Sequence, residues 1–298
     1  MFAYLIDAFT DKRYEGNPAG VVLDADALTR EEKQKIASEI HASETAFVSK
    51  SSVADYKVEF FTPVTEIDFC GHNTIATFWL LAEIGKLKMK SETCEVTQET
   101  KVGILPVSVA RKNGRFYVTM KQRLPQFASS PADLSTVARA LNLEPERLDS
   151  SLPIRLSNTG NWILMVPVKS AEILNSIAYD ASALSTIMSG CKAVTTNVFC
   201  RSEDGIYRTR NFCPTVGIPE DPATGSAAGA FAAYLANEGV LGNGSNEIRI
   251  RQGEAMGRPS DMTAHVHVEN RSVTDVRVSG TAAFSFLLSS EMPARVLA

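Results

Sequence analysis

The chain has 298 residues, 44% of them hydrophobic and 21% charged, with a formal net charge of −4, the balance of an ordinary folded protein. No basic excess or basic stripe is present, which sets nucleic-acid binding aside. No apolar run approaches the roughly 18 residues of a membrane-spanning helix, and Asp7, Asp11, Lys12 and Arg13 interrupt anything like a secretory leader, so the reading is a cytoplasmic protein of two domains, each of about 150 residues.

In chain order, short β-branched and aromatic runs predict strands at Ala3–Phe9, Gly20–Leu23, Ala46–Ser49 and Tyr56–Phe61. A helix is expected within Thr29–Ile40. Residues 72–84 are apolar nearly all round, the pattern of a buried helix, and Gly85 sits where a C-terminal cap belongs. Strands follow at Gly103–Ala110 and Arg115–Met120. Residues 132–146, with Leu134, Val137, Leu141 and Pro145, predict a surface helix joining two halves, and Ala171–Met188 a further helix. A second helix apolar all round is expected at 226–237, closed by Gly239. Strands at Glu247–Arg251, His265–Val268 and Val273–Gly280 complete the pattern.

The two apolar helices lie in segments that resemble each other. Phe61-Thr62-Pro63 precedes the first and Phe212-Cys213-Pro214 the second. Gly71, Ala76, Leu81, Gly85 and Leu87 recur at one constant spacing as Gly225, Ala230, Leu235, Gly239 and Leu241. Ordered matches of this kind indicate an internal duplication. The elements do not alternate as regular βαβ units, which argues against a doubly wound sheet. The expected fold is α+β, with two pseudo-symmetric halves, each a curved sheet or small barrel around one buried helix. The halves are drawn at 1–124 and 125–298, with 281–298 a candidate to return to the first.

Both buried helices open on glycine and small polar residues, Cys70-Gly71-His72-Asn73-Thr74 and Thr224-Gly225-Ser226. The first N–H groups of a helix lack internal partners and carry partial positive charge, and glycine admits a ligand close to the backbone. Two such starts facing one cleft would hold a carboxylate or an enolate-like oxygen; the plainer alternative makes Thr74 and Ser226 ordinary N-caps. Glu44, ahead of an apolar strand, is a candidate general acid and base, against the alternative of a surface glutamate at a strand end. His72 is a candidate hydrogen-bond donor or proton partner, and Asp221 either a site residue or a turn-forming Asp-Pro element. Cys70 could act as a nucleophile or proton carrier. Its counterpart Thr224 is too weak a base for a symmetric two-thiol epimerase. The five cysteines (Cys70, Cys94, Cys191, Cys200 and Cys213) form no CxxC pair, and in a reducing compartment they are expected as thiols. His265 and His267 share a strand face but lack a third ligand, and no metal site is expected. Nucleotide-binding and zinc-protease motifs are absent.

Asp7-Ala8-Phe9 with Gly16-Asn17-Pro18-Ala19, Ser43-Glu44-Thr45-Ala46-Phe47, Phe69-Cys70-Gly71-His72-Asn73-Thr74, Glu220-Asp221-Pro222-Ala223-Thr224-Gly225-Ser226 and Gln252-Gly253 with Gly257-Arg258-Pro259-Ser260 together resemble the PhzF-like, phenazine biosynthesis-like family. That family shares the diaminopimelate epimerase fold. The resemblance implies a cofactor-independent isomerase that moves a proton on a small anionic substrate, and a homodimer. It implies Glu44 as general acid/base, with His72, Asp221, Gly71, Gly225 and Ser226 lining the site and binding substrate; Cys70 and Asn73, beside them in sequence, are counted as further substrate-binding candidates. Asn73 departs from the commoner Gly-His-Ala-Thr form of the family. An amino-acid epimerase or racemase using Cys70 against Glu44, and a ligand-binding protein on the same fold, are the competing readings.

Overall fold

The computed structural model describes residues 2–289, and their contacts fall into two units, one of residues up to Met120 together with those from Gly280 onward, the other of Lys121–Ser279. Of the candidate returning stretch 281–298, residues 290–298 lie outside the described residues.

The first unit runs β1 (Phe2–Ala8), β2 (Asn17–Val22), α1 (Arg30–Ile40), β3 (Glu44–Ser49), β4 (Tyr56–Phe61), β5 (Glu66–Ile67), α2 (Gly71–Glu83), β6 (Thr93–Thr100), β7 (Gly103–Lys112) and β8 (Arg115–Lys121), and takes in the strand Ala282–Ser289. That last strand pairs with β1, and the sheet continues through β2, β3, β4, β6, β7 and β8, with β5 beside β4. The pairs β2–β3 and β4–β6 are parallel and the others antiparallel. The sheet curves around α2, whose Ile75, Ala76, Phe78 and Leu81 are at most 1% exposed and which packs on β1, β2, β3, β7 and the last strand. Gly85 follows α2 at φ +71°. Its N–H and that of Lys86 reach back to Ala82 O and Leu81 O at 3.1 and 2.8 Å, closing the helix with the left-handed turn that glycine tolerates best. On the opposite side of the sheet, Ala37 of α1 packs with Val22, Phe47 and Phe61. Thr29 and Glu32 cap α1 reciprocally.

The second unit runs β9 (Gln126–Ser129), α3 (Leu134–Ala140), β10 (Arg155–Asn158), β11 (Trp162–Pro167), α4 (Ala171–Ser176), α5 (Ala181–Cys191), β12 (Thr195–Arg201), β13 (Tyr207–Cys213), β14 (Ile218–Asp221), α6 (Gly225–Asn237), β15 (Gly244–Gln252), β16 (Ser260–Glu269) and β17 (Ser272–Gly280). Its strand order is β9, β10, β11, β12, β13, β15, β16, with β14 beside β13 and β17 beside β16. The parallel pairs are β11–β12 and β13–β15, the same scheme as in the first unit. The buried helix is α6. Its Phe231 ring centroid lies 4.6 Å from that of Phe199 and 5.1 Å from that of Tyr207, and the Tyr234 hydroxyl donates to Pro153 O at 2.8 Å.

Two sequence expectations change. The single helix of Ala171–Met188 is two helices. Ile177 is extended, and Asp180 starts α5 by accepting from the N–H groups of Ser182 and Ala183 at 2.9 and 3.0 Å, an N-cap that the apolar periodicity on either side conceals. The surface helix of 132–146 is confined to Leu134–Ala140, and Val137, Ala138, Ala140 and Leu141 are buried in the second unit's core.

Arg210 ties that unit together. Its guanidinium forms a two-pronged pair with Glu220 at 2.9 and 2.7 Å and donates to Leu174 O and Ile177 O at 3.1 and 2.8 Å. It lies over the Phe212 ring at 4.9 Å. Both charged side chains are close to nine-tenths buried. Removing one partner strands the other charge away from water. Arg210→Met is therefore expected to cost about 3–5 kcal/mol of unfolding free energy, measured by denaturant titration.

Candidate active site

In the first unit, Glu44 opens β3 while Cys70 immediately precedes α2 and His72 lies in its first turn. The strand end and the helix start bring the three side chains together. Glu44 Oε2 lies 3.3 Å from His72 Nε2. The carboxylate oxygen is buried and accepts no hydrogen bond, so the two groups approach without a linear donor–acceptor alignment. Cys70 Sγ lies 3.4 Å from His72 Nδ1 and 4.0 Å from Nε2, and the Ser43 hydroxyl lies 3.5 Å from Nε2. Glu44, Cys70 and His72 thus present a carboxylate oxygen, a thiol sulfur and an imidazole nitrogen within 4.8 Å of one another. This is the group of described residues best able to hold a metal ion.

The alternative that makes Thr74 and Ser226 plain N-caps does not hold. Cys70 is the N-cap of α2 and Thr224 that of α6, and neither side chain caps the helix. Thr74 instead donates its hydroxyl back to Cys70 O at 2.9 Å. The amides at the start of α2 therefore keep their polarity for another acceptor. A Cβ on Gly71 would meet, among the described residues, only Met120 Cε at 3.4 Å.

Asn73 is fully buried. Its amide donates to Gly20 O at 3.0 Å and Glu44 O at 3.1 Å, and its carbonyl oxygen accepts from the Cys70 thiol at 3.4 Å. Its side chain binds protein backbone and thiol, and so braces Glu44 and Cys70 from within the first turn of α2.

In the second unit, Asp221 ends β14 and its carboxylate accepts from the Thr224 hydroxyl. Gln252 ties the segment down, donating to Asp221 O at 2.6 Å and Thr224 Oγ1 at 3.1 Å. Gly225, at the start of α6, accepts from Gln122 Nε2 at 2.8 Å, and Gly229 lies so close to Gln122 that a Cβ there would come within 2.0 Å of Oε1. Ser226 is half-buried. Gln122 and Gln252 were not singled out from the sequence as site residues. The signal for Gln252 is its neighbour Gly253, at φ +80°, where a Cβ would meet Arg258 O at 2.3 Å and Pro222 O at 2.7 Å.

Cys200 is set apart from chemistry at neutral pH, because burial pushes its thiol up to about 11. It lines a cavity of about 380 Å³ with Arg201, Tyr207 and Gly239, at the C-terminal end of α6. His265 and His267 are hydrogen bonded to Ser279 and Ser245 at 2.9 and 3.0 Å.

The model of the phenazine biosynthesis-like protein family matches residues 6–287. An uncharacterized isomerase of Clostridium acetobutylicum is 37% identical, with 95% of each chain covered. A trans-2,3-dihydro-3-hydroxyanthranilate isomerase of Pseudomonas chlororaphis is 34% identical, with 93% of this chain and 94% of that one covered. The crystal structure of a Bacillus anthracis phenazine biosynthesis protein of the PhzF family has a TM-score of 0.90 at 34% identity, covering 98% of this chain and 99% of the other.

Truncating the Asn73 amide leaves Gly20 O and Glu44 O without these donors. Asn73→Ala is expected to lower unfolding free energy by about 1–3 kcal/mol in chemical denaturation.

Proposed function

The chain belongs to the phenazine biosynthesis-like family, and from that premise we propose that it is an isomerase that shifts a proton on a small carboxylate-bearing substrate, with Glu44 as the acid and base and no coenzyme. The observation that carries the reading is Glu44 Oε2, a buried carboxylate oxygen that accepts no hydrogen bond and lies 3.3 Å from His72 Nε2. A carboxylate held this way keeps a lone pair for a substrate C–H, and the imidazole beside it can share the proton once taken. The uncapped amides at the start of α2 supply the partial positive charge that a substrate carboxylate or a developing enolate needs.

In the proposed cycle, Glu44 removes a proton from carbon adjacent to a carbonyl or unsaturated group. The electron pair moves along the conjugated system, where backbone N–H groups near Gly71 steady it. Glu44, or His72 acting for it, returns the proton at a second carbon. The product has the composition of the substrate, so no redox partner is required. Asp221, Gly225 and Ser226 enter as substrate contacts on the family resemblance alone, as do a homodimeric state and a cytoplasmic location. The hydroxyanthranilate named for one relative marks the kind of substrate, an unsaturated carboxylate, with which a search should begin.

A second reading draws on the Cys70–His72 contact at 3.4 Å. A thiol beside an imidazole is a candidate acid or base in its own right, and with Glu44 it would serve an epimerase. Solvent deuterium entering one stereocentre, and lost in Cys70→Ser, is the result expected of that mechanism; deuterium entering a different carbon from the one deprotonated is the result expected of the isomerase.

Glu44→Gln is expected to lower turnover by about 10²–10⁴-fold with an unchanged melting temperature. NMR-detected exchange in D₂O across a panel of unsaturated and amino carboxylates measures it. Near-full activity in the variant would remove Glu44 from the chemistry.

A further inference from the structure

We propose that Glu44, Cys70 and His72 form a binding site for one zinc ion, and that the ion switches off the proton transfer assigned to Glu44. The donors are the borderline-soft set that zinc prefers, one thiolate, one imidazole and one carboxylate. All three belong to the first unit, and their ligating atoms lie within 4.8 Å of one another. Nε2 is the ring nitrogen that approaches both partners, at 3.3 Å from Glu44 Oε2 and 4.0 Å from Cys70 Sγ. Tetrahedral zinc, with bonds of about 2.0–2.3 Å, sets its ligand atoms roughly 3.2–3.6 Å apart; the imidazole and carboxylate already stand at that separation, and the sulfur has to draw closer to them.

Glu44 Oε2 is buried and accepts no hydrogen bond, so an ion there would give it a partner rather than displace one. Asn73 holds the thiol and the backbone of Glu44 from behind, and the Ser43 hydroxyl lies 3.5 Å from Nε2. Three protein ligands leave the fourth position for water or a substrate carboxylate.

Binding releases the Cys70 proton to solvent as the thiol becomes a thiolate, so affinity increases with pH. An ion on Glu44 Oε2 occupies the lone pair that would take the substrate proton. The inhibitory half of the proposal rests on the Glu44 assignment above; the binding half does not.

The test titrates the metal-free full chain with Co²⁺, whose sulfur-to-metal absorption reports a thiolate ligand, and then displaces it with Zn²⁺. We expect one Co²⁺ per chain with that absorption, affinity about 100-fold or more weaker in Cys70→Ser, a smaller loss in Glu44→Gln, and no change in His267→Ala. Loss in His267→Ala would place the ion on the His265/His267 strand and overturn the proposal, as would retention in Cys70→Ser or the absence of a sulfur band in the wild type. In D₂O exchange, Zn²⁺ is expected to abolish turnover and a chelator to restore it; full turnover with zinc bound would overturn the inhibitory half. Tight thiolate-bound Co²⁺ in a chain that exchanges no substrate proton would sustain the metal site and count against the isomerase reading instead.

Discussion

A helix that is apolar on every side has no face to offer water, and each unit is arranged to meet that constraint. Surrounding α2 takes strands from both ends of the first unit's sequence, and surrounding α6 takes β10, β11, β12 and β16. The sheets curve because a flat one would leave half of each helix exposed. The strand order, with its two parallel steps in each unit, brings distant segments onto one helix.

The same constraint creates the polar site. The sides of a wrapped helix are closed, so its ends are where polar groups can reach it. In α2 the side chain at the N-cap position does not cap, and the residues of the opening turn are polar although buried: His72, Asn73 and Thr74 are all under 9% exposed. Asn73 and Thr74 satisfy backbone carbonyls, and Asn73 fixes Glu44 by its own main chain. His72 is left facing the carboxylate and the thiol. The group is thus a chemical trio on a structural footing, and the footing consists of one amide and one hydroxyl from the same turn of helix.

Much of this was legible beforehand. The all-round apolarity of residues 72–84 and 226–237 gave the central helices to within a residue at their starts, and the Gly85 and Gly239 turns stand where the apolar runs stop. Glu44, His72 and Cys70 could be named because few residue types do such chemistry, but their meeting could not be read from spacing. Glu44 and His72 are 28 positions apart in the sequence and are joined only by the pairing of β2 with β3 and the packing of α2 against both. The bracing role of Asn73 was hidden for the same reason: an amide beside a candidate site is compatible with facing a ligand or a backbone, and its bonds to the carbonyls of Gly20 and Glu44 come from segments distant in sequence. The break at Asp180 escaped because a capping aspartate between two apolar stretches is a local signal outweighed by periodicity on either side.

The first unit is assembled from both ends of the described chain. Phe2 and Ser289 face each other across the ladder between β1 and the last strand, and β1 has its other edge on β2. Until the last strand arrives, one edge of β1 has no partner, and an unpaired edge is an invitation to foreign strands. On the ribosome, the whole of the second unit is made before that strand emerges. The second unit can complete its sheet during synthesis, while the first must wait for Ala282–Ser289 to be made. Order of synthesis and order of folding are therefore reversed in this chain: the unit begun first closes last.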